Sequence, residues 1–442
     1  MRFLFCFWIF FTFSVSVFSQ DGFQFETDKT KITIPFQLIN NLIFIPINVN
    51  GVELNFLLDT GVEETILLSL DDKEGLNFNN VEKIKLRGLG KEESIEGLRS
   101  NNNVLSVKEL VDKHHNLYIV LDQSFNFSTH IGIPVNGIIG YSFFRNNLLE
   151  INYDKKKLIV YKDTKKVQKK INRHYIRIPI SIERNKPYAQ AWVTMDEKEI
   201  AAKLLLDIGN SDALWLFQDV SSEIKVPEKS FDDFLGKGFS GDVLGKRTRI
   251  SNFRLGTFEF KNPIIAMPDL NSIKSVSMVE NRVGSIGGEI FKRFSVIVDY
   301  RNKQLFLAKS NHFDVPFQYN MSGIELQNEG MQWVQETVPL KTINLIENTF
   351  DENGNKVDTN FKYKFSLKPI YTIANVRKDS PAERCGLRKG DVIISINKMM
   401  GYKYSLQEIN EILKSEDGKW LNFEIERNSQ ILKFKFQLKS IL

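Results

Sequence analysis

The chain has very little cysteine and histidine. Of its 442 residues, two are cysteine and five are histidine. Cys6 lies in the N-terminal apolar run and leaves Cys385 as the single cysteine of the remaining chain, so an intrachain disulfide is excluded there. The histidines show no metal-ligand spacing, and cysteine-based zinc motifs are absent. We therefore predict no metal site.

Other functional signatures are missing as well. The sequence contains neither Gly-X-Ser-X-Gly nor His-Glu-X-X-His, which excludes the serine nucleophile elbow and the zinc-protease helix. The net charge of +5 arises from 59 basic and 54 acidic residues and forms no basic stripe, so we predict no nucleic-acid partner. The most basic segment, residues 162–170, is interpreted as a solvated linker.

A long apolar run occurs only at the N-terminus. Residues 1–19 combine an early Arg2 with an apolar run that ends in small residues, which predicts a signal peptide cleaved after Ser19. A retained membrane anchor is the alternative interpretation. No later stretch reaches the roughly 18 apolar residues of a membrane span. We expect an exported chain in the periplasm, the cell envelope or the extracellular space, with no membrane span after cleavage.

The chain contains an internal repeat. Residues 137–160 and 284–307 match at an offset of 147, and each copy predicts a β-hairpin behind an apolar-Gly step. Residues 55–67 and 203–215 match at an offset of 148, and each runs from an apolar strand into Asp-X-Gly. The two copies therefore have the same order of parts and predict two similar β-rich halves.

The Asp-X-Gly steps centre on Asp59 and Asp207, each of which follows three apolar residues. A carboxylate at the end of a buried strand is unfavourable unless it is hydrogen-bonded. The glycine two residues later permits a close backbone approach and directs an N–H toward the carboxylate. A chance turn aspartate explains either site alone, whereas two in register within a repeat indicate a functional pair.

These loops resemble those of the pepsin and retropepsin superfamily of aspartic peptidases, over roughly residues 30 to 310. Asp59-Thr60-Gly61 matches the family loop, and Asp207-Ile208-Gly209 differs only at its middle position. Ile138-Ile139-Gly140 and Ser285-Ile286-Gly287 match the element that packs behind each loop. The whole is similar to secreted, PDZ-bearing retropepsin-like proteins of Bacteroidetes-type bacteria.

The resemblance implies a catalytic role for Asp59 and Asp207, which would share one proton and activate a water without any cofactor. The positions that it implies as support for the two catalytic loops are Thr60, Gly61, Ile208, Gly209, Ile139, Gly140, Ile286 and Gly287. Glycine-rich hairpins act as flaps in the family, and ordinary hairpin turns are the alternative for them here. The flap candidates are Gly88, Gly90, Gly238 and Gly241.

The pattern changes from about Asp314 onward. Residues 380–393 predict a short helix, a turn and a strand, with Pro381 in the first helical turn and Gly386 just after the last. A second helix begins at Ser405 with a capping box. The run 380–393 resembles a PDZ domain of the bacterial, protease-associated kind.

The resemblance to PDZ domains also implies a ligand. PDZ domains add an extended peptide to a sheet edge and hold its C-terminal carboxylate in backbone N–H groups. The family's carboxylate loop falls most naturally on Ser322, Gly323 and Ile324. A C-terminal peptide is therefore the ligand that we expect for this domain.

The predicted fold is mainly β, with two retropepsin-like β-barrel lobes and a PDZ-like α+β domain. The predicted segments are the signal peptide at 1–19, lobe 1 at 20–165, lobe 2 at 166–312 and the PDZ-like domain at 313–442. We expect an aspartic endopeptidase acting on peptides or proteins. The alternatives are a catalytically degenerate scaffold that serves as a PDZ peptide-binding adaptor in the cell envelope, and a structural envelope protein.

Overall fold

The computed structural model describes residues 22–68, 70, 73–86, 95–120, 127–218, 220–238, 241–274, 278–339, 349–350, 356–357 and 361–442. The predicted signal peptide at 1–19 and the flap candidates Gly88 and Gly90 lie outside these residues. The prediction of a mainly β fold is confirmed.

The first lobe is made of short strands joined by tight turns. Several turns place asparagine at positive φ, as at Asn40-Asn41, and the right-handed strand twist favours such turns in hairpins. The elements of this lobe in chain order are β1 (Gln24–Phe25), β2 (Lys31–Pro35), β3 (Gln37–Ile39), β4 (Leu42–Val49), β5 (Val52–Leu58), β6 (Thr65–Leu67), β7 (Val81–Leu86), β8 (Ile95–Val107), β9 (Leu110–Val120), α1 (Phe127–Ile131), β10 (Gly137–Ile139), α2 (Tyr141–Phe144), β11 (Leu148–Asn152) and β12 (Lys157–Tyr161). Its main sheet has the order β1-β9-β6-β10-β5-β4-β8-β7, with β3 paired to β4.

The second lobe repeats this plan. Its elements are α3 (Lys165–His174), β13 (Ile176–Pro179), β14 (Ser181–Glu183), β15 (Lys186–Met195), β16 (Lys198–Leu206), β17 (Leu214–Leu216), β18 (Ser230–Gly238), β19 (Gly241–Arg249), β20 (Asn252–Leu255), β21 (Phe258–Lys261), β22 (Ile264–Pro268), α4 (Leu270–Ile273), β23 (Arg282–Ile286), α5 (Gly288–Phe291), β24 (Phe294–Asp299) and β25 (Gln304–Lys309). Its main sheet has the order β18-β19-β22-β17-β23-β16-β15-β20-β21, with β14 paired to β15.

Both lobes contribute strands to a third sheet. Its order is β13-β25-β24-β11-β12-β2, and the lobes meet where β11 runs antiparallel to β24. The predicted hairpins are the pairs β11–β12 and β24–β25. One continuous hydrophobic core includes buried side chains of both lobes, such as Phe56 and Leu204. The two lobes are therefore fixed relative to each other by backbone pairing and by a common core.

The lysine-rich segment at the predicted junction of the lobes is not an irregular linker. Residues Lys165–His174 form helix α3, whose first turn is capped because the Thr164 hydroxyl accepts a hydrogen bond from Val167 N. Ile171 is buried on one face while the lysines stay largely exposed. The segment is solvent-exposed and connects the lobes, as the solvated-linker interpretation expects, and the structure adds that most of it is helical.

The C-terminal domain packs two helices on a sheet of the order β26-β29-β30-β32-β33. Its elements are β26 (Ile324–Pro339), β27 (Thr349–Phe350), β28 (Lys356–Val357), β29 (Phe361–Val376), α6 (Pro381–Cys385), β30 (Val392–Ile396), β31 (Met399–Met400), a 3₁₀ helix (Gly401–Lys403), α7 (Leu406–Leu413), β32 (Trp420–Arg427) and β33 (Gln430–Gln437). The predicted capping box at Ser405 and the left-handed glycine at Gly386 are both confirmed.

Candidate active site

Equivalent strands place the two aspartates at equivalent points. Asp59 directly follows β5 and Asp207 directly follows β16. Each of these strands pairs in parallel with the strand that carries the apolar-Gly element, β10 and β23 respectively. Asp59 N donates to Ile139 O and Asp207 N donates to Ile286 O, both at 2.9 Å. The backbone of both loops is thus held by the same hydrogen bond.

The carboxyl groups of Asp59 and Asp207 face each other at close range across the lobe interface, and a Cβ on Gly61 would lie within 3.0 Å of an oxygen of each. Asp59 Oδ1 also accepts from Gly61 N at 2.7 Å, and the Gly209 N–H donates to the Asp59 carboxyl. Each glycine faces the aspartate of the opposite lobe. A Cβ on Gly61 would lie 2.8 Å from Asp207 Oδ1, and a Cβ on Gly209 would overlap the Asp59 carboxyl. Both positions therefore require glycine.

Burial makes both carboxyl groups weaker acids than usual. It raises the pKa of Asp59, although the N–H groups of Gly61 and Gly209 oppose this change. The pKa of Asp207 lies well above its usual range, first because of burial and then because of repulsion from Asp59. Asp59, which accepts two backbone N–H groups, is therefore the partner better suited to ionise, and Asp207 is the partner better suited to keep a proton.

A threonine hydroxyl connects the two loops. Thr60 Oγ1 donates to Leu206 O at 2.6 Å and accepts from Ile208 N at 3.1 Å. Thr60 and Ile208 are both buried, at 2% exposure each. The side chain of Ile208 belongs to the main hydrophobic core and has no polar atom to return the contact. The loops are therefore braced from the lobe 1 side alone.

The apolar-Gly elements lie behind the loops. A Cβ on Gly140 would overlap Val62 O, and a Cβ on Gly287 would overlap Asp212 O. The preceding residues, Ile139 and Ile286, are fully buried. These four positions fix the loops from behind through close packing.

Two asparagines, which sequence reasoning missed, join the lobes at the rim. Asn41 Nδ2 donates to Ser211 O at 2.8 Å, and Asn185 Nδ2 donates to Glu63 Oε1 at 2.6 Å. Each asparagine is the second residue of a tight turn with positive φ. Each reaches the chain just after the aspartate of the opposite lobe, so the lobes are related by an approximate two-fold axis between Asp59 and Asp207. The matching turns Asn40-Asn41 and Arg184-Asn185 are the sequence feature that could have indicated this contact.

The aspartates lie in a cavity of about 880 Å³ that both lobes and the PDZ domain line. This volume is within the range of roughly 300–1,000 Å³ typical of ligand sites. Hairpin β18–β19 forms part of the wall, and Gly238 lines the cavity and pairs with Gly241 at the end of the described hairpin. Lys186 and Arg282 also line the cavity, and no sequence motif had indicated them.

The predicted carboxylate loop of the PDZ domain is closed by its own side chains. Ser322 N and Gly323 N donate to Asn320 Oδ1 at 3.1 and 3.2 Å, and Ile324 N donates to Ser322 Oγ at 3.0 Å. Asn320 Nδ2 donates in turn to Ile324 O at 2.6 Å. The three N–H groups expected to bind a carboxylate are therefore engaged, and a ligand would have to displace the Asn320 side chain.

The PDZ domain also packs directly against the peptidase-like lobes. Helix α1 contacts strand β26, and Gly132 lies so close to α7 that a Cβ there would be 3.1 Å from Leu406 Cβ. On the lobe 2 side, Arg377 pairs with Asp233 at 3.6 Å. Strand β26 and helix α7 thus face the lobes.

Two features are absent from the described residues. None of the helices in this part of the chain is long and apolar enough to cross a membrane. No cluster of three or more histidine, cysteine, aspartate or glutamate side chains suited to a metal ion occurs in the same residues.

Comparisons with known proteins agree with the two parts of the fold. Residues 45–143 match a family model described as aspartyl protease, and residues 372–427 match a PDZ domain model. The first match contains Asp59 and Gly140 but ends before the second copy of the repeat. No curated protein matches the chain. Matching solved structures include the aspartic proteinase from Irpex lacteus, at 11% identity over 64% of this chain and 99% of that chain, with a TM-score of 0.42. The two family matches support an aspartic-protease-like region at residues 45–143 and a PDZ domain at residues 372–427.

Proposed function

We propose that the chain is an aspartic endopeptidase that uses Asp59 and Asp207 as its catalytic pair. The observation that carries the proposal is the close approach of the two carboxyl groups in a cavity that both lobes line. Two carboxyl groups in contact share one proton, because ionising both is unfavourable at such a separation. A protein that served only as a peptide-binding adaptor would not need two buried carboxyl groups facing each other.

The environments of the two aspartates assign their roles. Asp59 is ionised because it accepts backbone N–H groups, so it is the general base that takes a proton from the attacking water. Asp207 keeps the proton and donates a hydrogen bond to the scissile carbonyl as the tetrahedral intermediate forms. Asp59 then returns its proton to the leaving amine. The residues present are sufficient for each proton transfer.

The PDZ domain forms one end of the cleft under this proposal. Gly323, Ile324 and Arg377 line the same cavity as the aspartates. A substrate that extends beyond the lobes would meet strand β26 and the carboxylate loop, where opening of the Asn320 cap would expose the N–H groups of Ser322 and Gly323. We also propose that the chain is exported, as residues 1–19 predict, and that it resembles Bacteroidetes-type proteins in this respect.

Digestion of a peptide library, analysed by mass spectrometry at several pH values, tests the activity. Wild type is expected to cleave internal peptide bonds. Asp59→Asn and Asp207→Asn are each expected to lower the rate at least about a thousandfold, because catalytic residues that act as a unit lose most of their rate enhancement when any one of them is removed. Both substitutions keep side-chain volume, and thermal unfolding checks that the variants remain folded. A folded wild type that cleaves nothing would contradict the proposal and favour the adaptor.

A further inference from the structure

The two walls of the cleft differ in charge although they are built from equivalent strands. Lys186 is the first residue of β15, after the turn Arg184-Asn185, and Leu42 is the first residue of β4, after the equivalent turn. On the neighbouring strand, Arg282 lies two residues before Gly284, and Val135 lies two residues before Gly137. These two glycines are equivalent in register, since each pairs with the last residue of the short strand beside it.

The lobe 1 wall is apolar. Leu42 and Val135 are 8% and 2% exposed and belong to a buried hydrophobic cluster that also includes Leu57 and Ile138. All four residues line the cavity. At these four positions the wall has only hydrocarbon side chains, so this part of it suits an apolar side chain, whereas acidic side chains of lobe 1 line the cavity nearer its rim.

The lobe 2 wall carries two cations at the matching positions. Arg282 is 7% exposed, its Nε donates to Gly284 O at 3.1 Å, and its guanidinium lies 5.2 Å from the centre of the Phe217 ring. Within the described part of the chain, neither Arg282 nor Lys186 forms an ion pair with a carboxylate. A buried guanidinium without a paired anion is unfavourable, and here it borders a cavity open to a ligand.

The charges near the aspartates do not balance. Arg282 and Lys186 interact with each other, and both also interact with Asp207. Since the Asp59/Asp207 pair shares a proton, it supplies one negative charge against two positive ones. Glu63 and Glu64, at the rim, also interact with Lys186, but both are exposed to solvent and Glu63 is bonded to Asn185, so they are weak counter-charges. Burial, and then repulsion from Arg282, lowers the pKa of Lys186. A bound anion nearby would raise that pKa again.

We infer that this wall binds an acidic side chain of the substrate. Because the approximate two-fold axis passes between Asp59 and Asp207, the matched walls lie on opposite sides of the scissile bond, where an extended peptide places its two flanking residues. The preferred substrate therefore has an apolar residue on the lobe 1 side and Asp or Glu on the lobe 2 side. This inference rests on the proposed function for its cleavage step.

Four labelled octapeptides test it, with central Phe-Glu, Phe-Gln, Glu-Phe or Gln-Phe in otherwise identical sequences. Wild type is expected to cleave one Glu peptide about 10- to 100-fold more efficiently than its Gln twin, the range of a charge-assisted hydrogen bond in a buried site. Arg282→Gln and Lys186→Gln should each reduce that preference about tenfold. Arg254→Gln, which removes an exposed cation elsewhere in lobe 2, should keep it.

The same peptides separate this inference from the proposed function. Binding is measured by fluorescence anisotropy beside cleavage. Stronger binding of a Glu peptide without cleavage would support the acidic site and contradict the peptidase, whereas cleavage with equal rates for Glu and Gln in both orders would contradict the site alone. If Arg282→Gln and Lys186→Gln instead shift the pH dependence of cleavage equally for the Glu peptide and its Gln counterpart, the two cations only change the pKa values of the aspartates. The inference is then wrong.

Discussion

The two Asp-X-Gly loops share one backbone arrangement but differ in their middle side chains. In lobe 1, Thr60 makes two hydrogen bonds to lobe 2, whereas Ile208 in lobe 2 packs into the hydrophobic core. The backbone bonds that fix the aspartates, to Ile139 O and Ile286 O, are nonetheless equal in length. The comparison indicates that duplicated strands and close-packed glycines set the position of each loop, and that side-chain bracing from one lobe is sufficient to join them.

The largest effect is expected from the glycine that approaches Asp59 most closely. Gly209→Ala would push its Cβ into the Asp59 carboxyl, and displacement of a catalytic group by about an ångström can lower a rate on the order of a hundredfold. Gly61→Ala, with contacts of 2.8–3.0 Å, should have a smaller effect. Steady-state kinetics of both variants measure the difference. Equal rates for Gly209→Ala and wild type would show that the loop can move freely.

Removal of the single brace should come next. Thr60→Val leaves Leu206 O and Ile208 N without their buried partner, at a cost of about 1–3 kcal/mol for each unpaired group. We expect a loss of about 2–4 kcal/mol in the free energy of unfolding and a rate reduction of at least about tenfold. Denaturant unfolding and kinetics check both values. Thr60→Ser keeps the hydroxyl and is the control that should retain most of the rate.

The dependence on pH should reveal the unequal aspartates. The proposed mechanism requires one ionised and one protonated carboxyl group, so the rate should rise as pH passes the lower pKa of the Asp59/Asp207 pair and fall as pH passes the higher one. Because the folded state raises both pKa values, the active range should lie above the usual aspartate value of 3.8.

The same titration should appear in stability. The folded chain holds the Asp207 proton more tightly than the unfolded chain, so the free energy of unfolding should decrease by up to about 1.4 kcal/mol per pH unit as pH rises between the unfolded and folded pKa values of Asp207. Asp207→Asn should lack this decrease. Parallel pH slopes for wild type and Asp207→Asn would contradict the assignment of the proton.

The smallest effect is expected from restoring symmetry. Ile208→Thr would supply the missing hydroxyl of the second loop, and one such hydrogen bond contributes roughly 0.5–1.5 kcal/mol. The loss of buried apolar surface at a residue only 2% exposed offsets this gain, so stability should change little. We predict a turnover increase of a few-fold, with Ile208→Val as the apolar control. No increase would mean that the hydrogen bonds of Thr60 already hold the two aspartates in their most active arrangement.

Local patterns in the sequence predicted several features that the structure confirms. The repeat indicated two similar β-rich halves, and the hairpins at β11–β12 and β24–β25 follow from strand alternation. In the PDZ domain, Ser405 and Gly386 predicted a helix start and a helix end. Each of these features depends on residues close in sequence, and short-range hydrogen bonds and backbone preferences decide them.

Long-range packing decided the features that sequence reasoning missed. Asn41 and Asn185 join the lobes, Lys186 and Arg282 line the cleft, and Asn320 closes the carboxylate loop. No motif marks these residues. Their roles arise from groups that are distant in the sequence or, for Asn320, from the conformation of the loop in which it lies. The sequence by itself determined that two Asp-X-Gly strands and a PDZ domain exist in this chain. Only the tertiary structure decided that the carboxyl groups of Asp59 and Asp207 face each other, that burial raises the pKa of both and that the PDZ domain borders the cleft, because contacts between distant strands and the burial that they produce set all three.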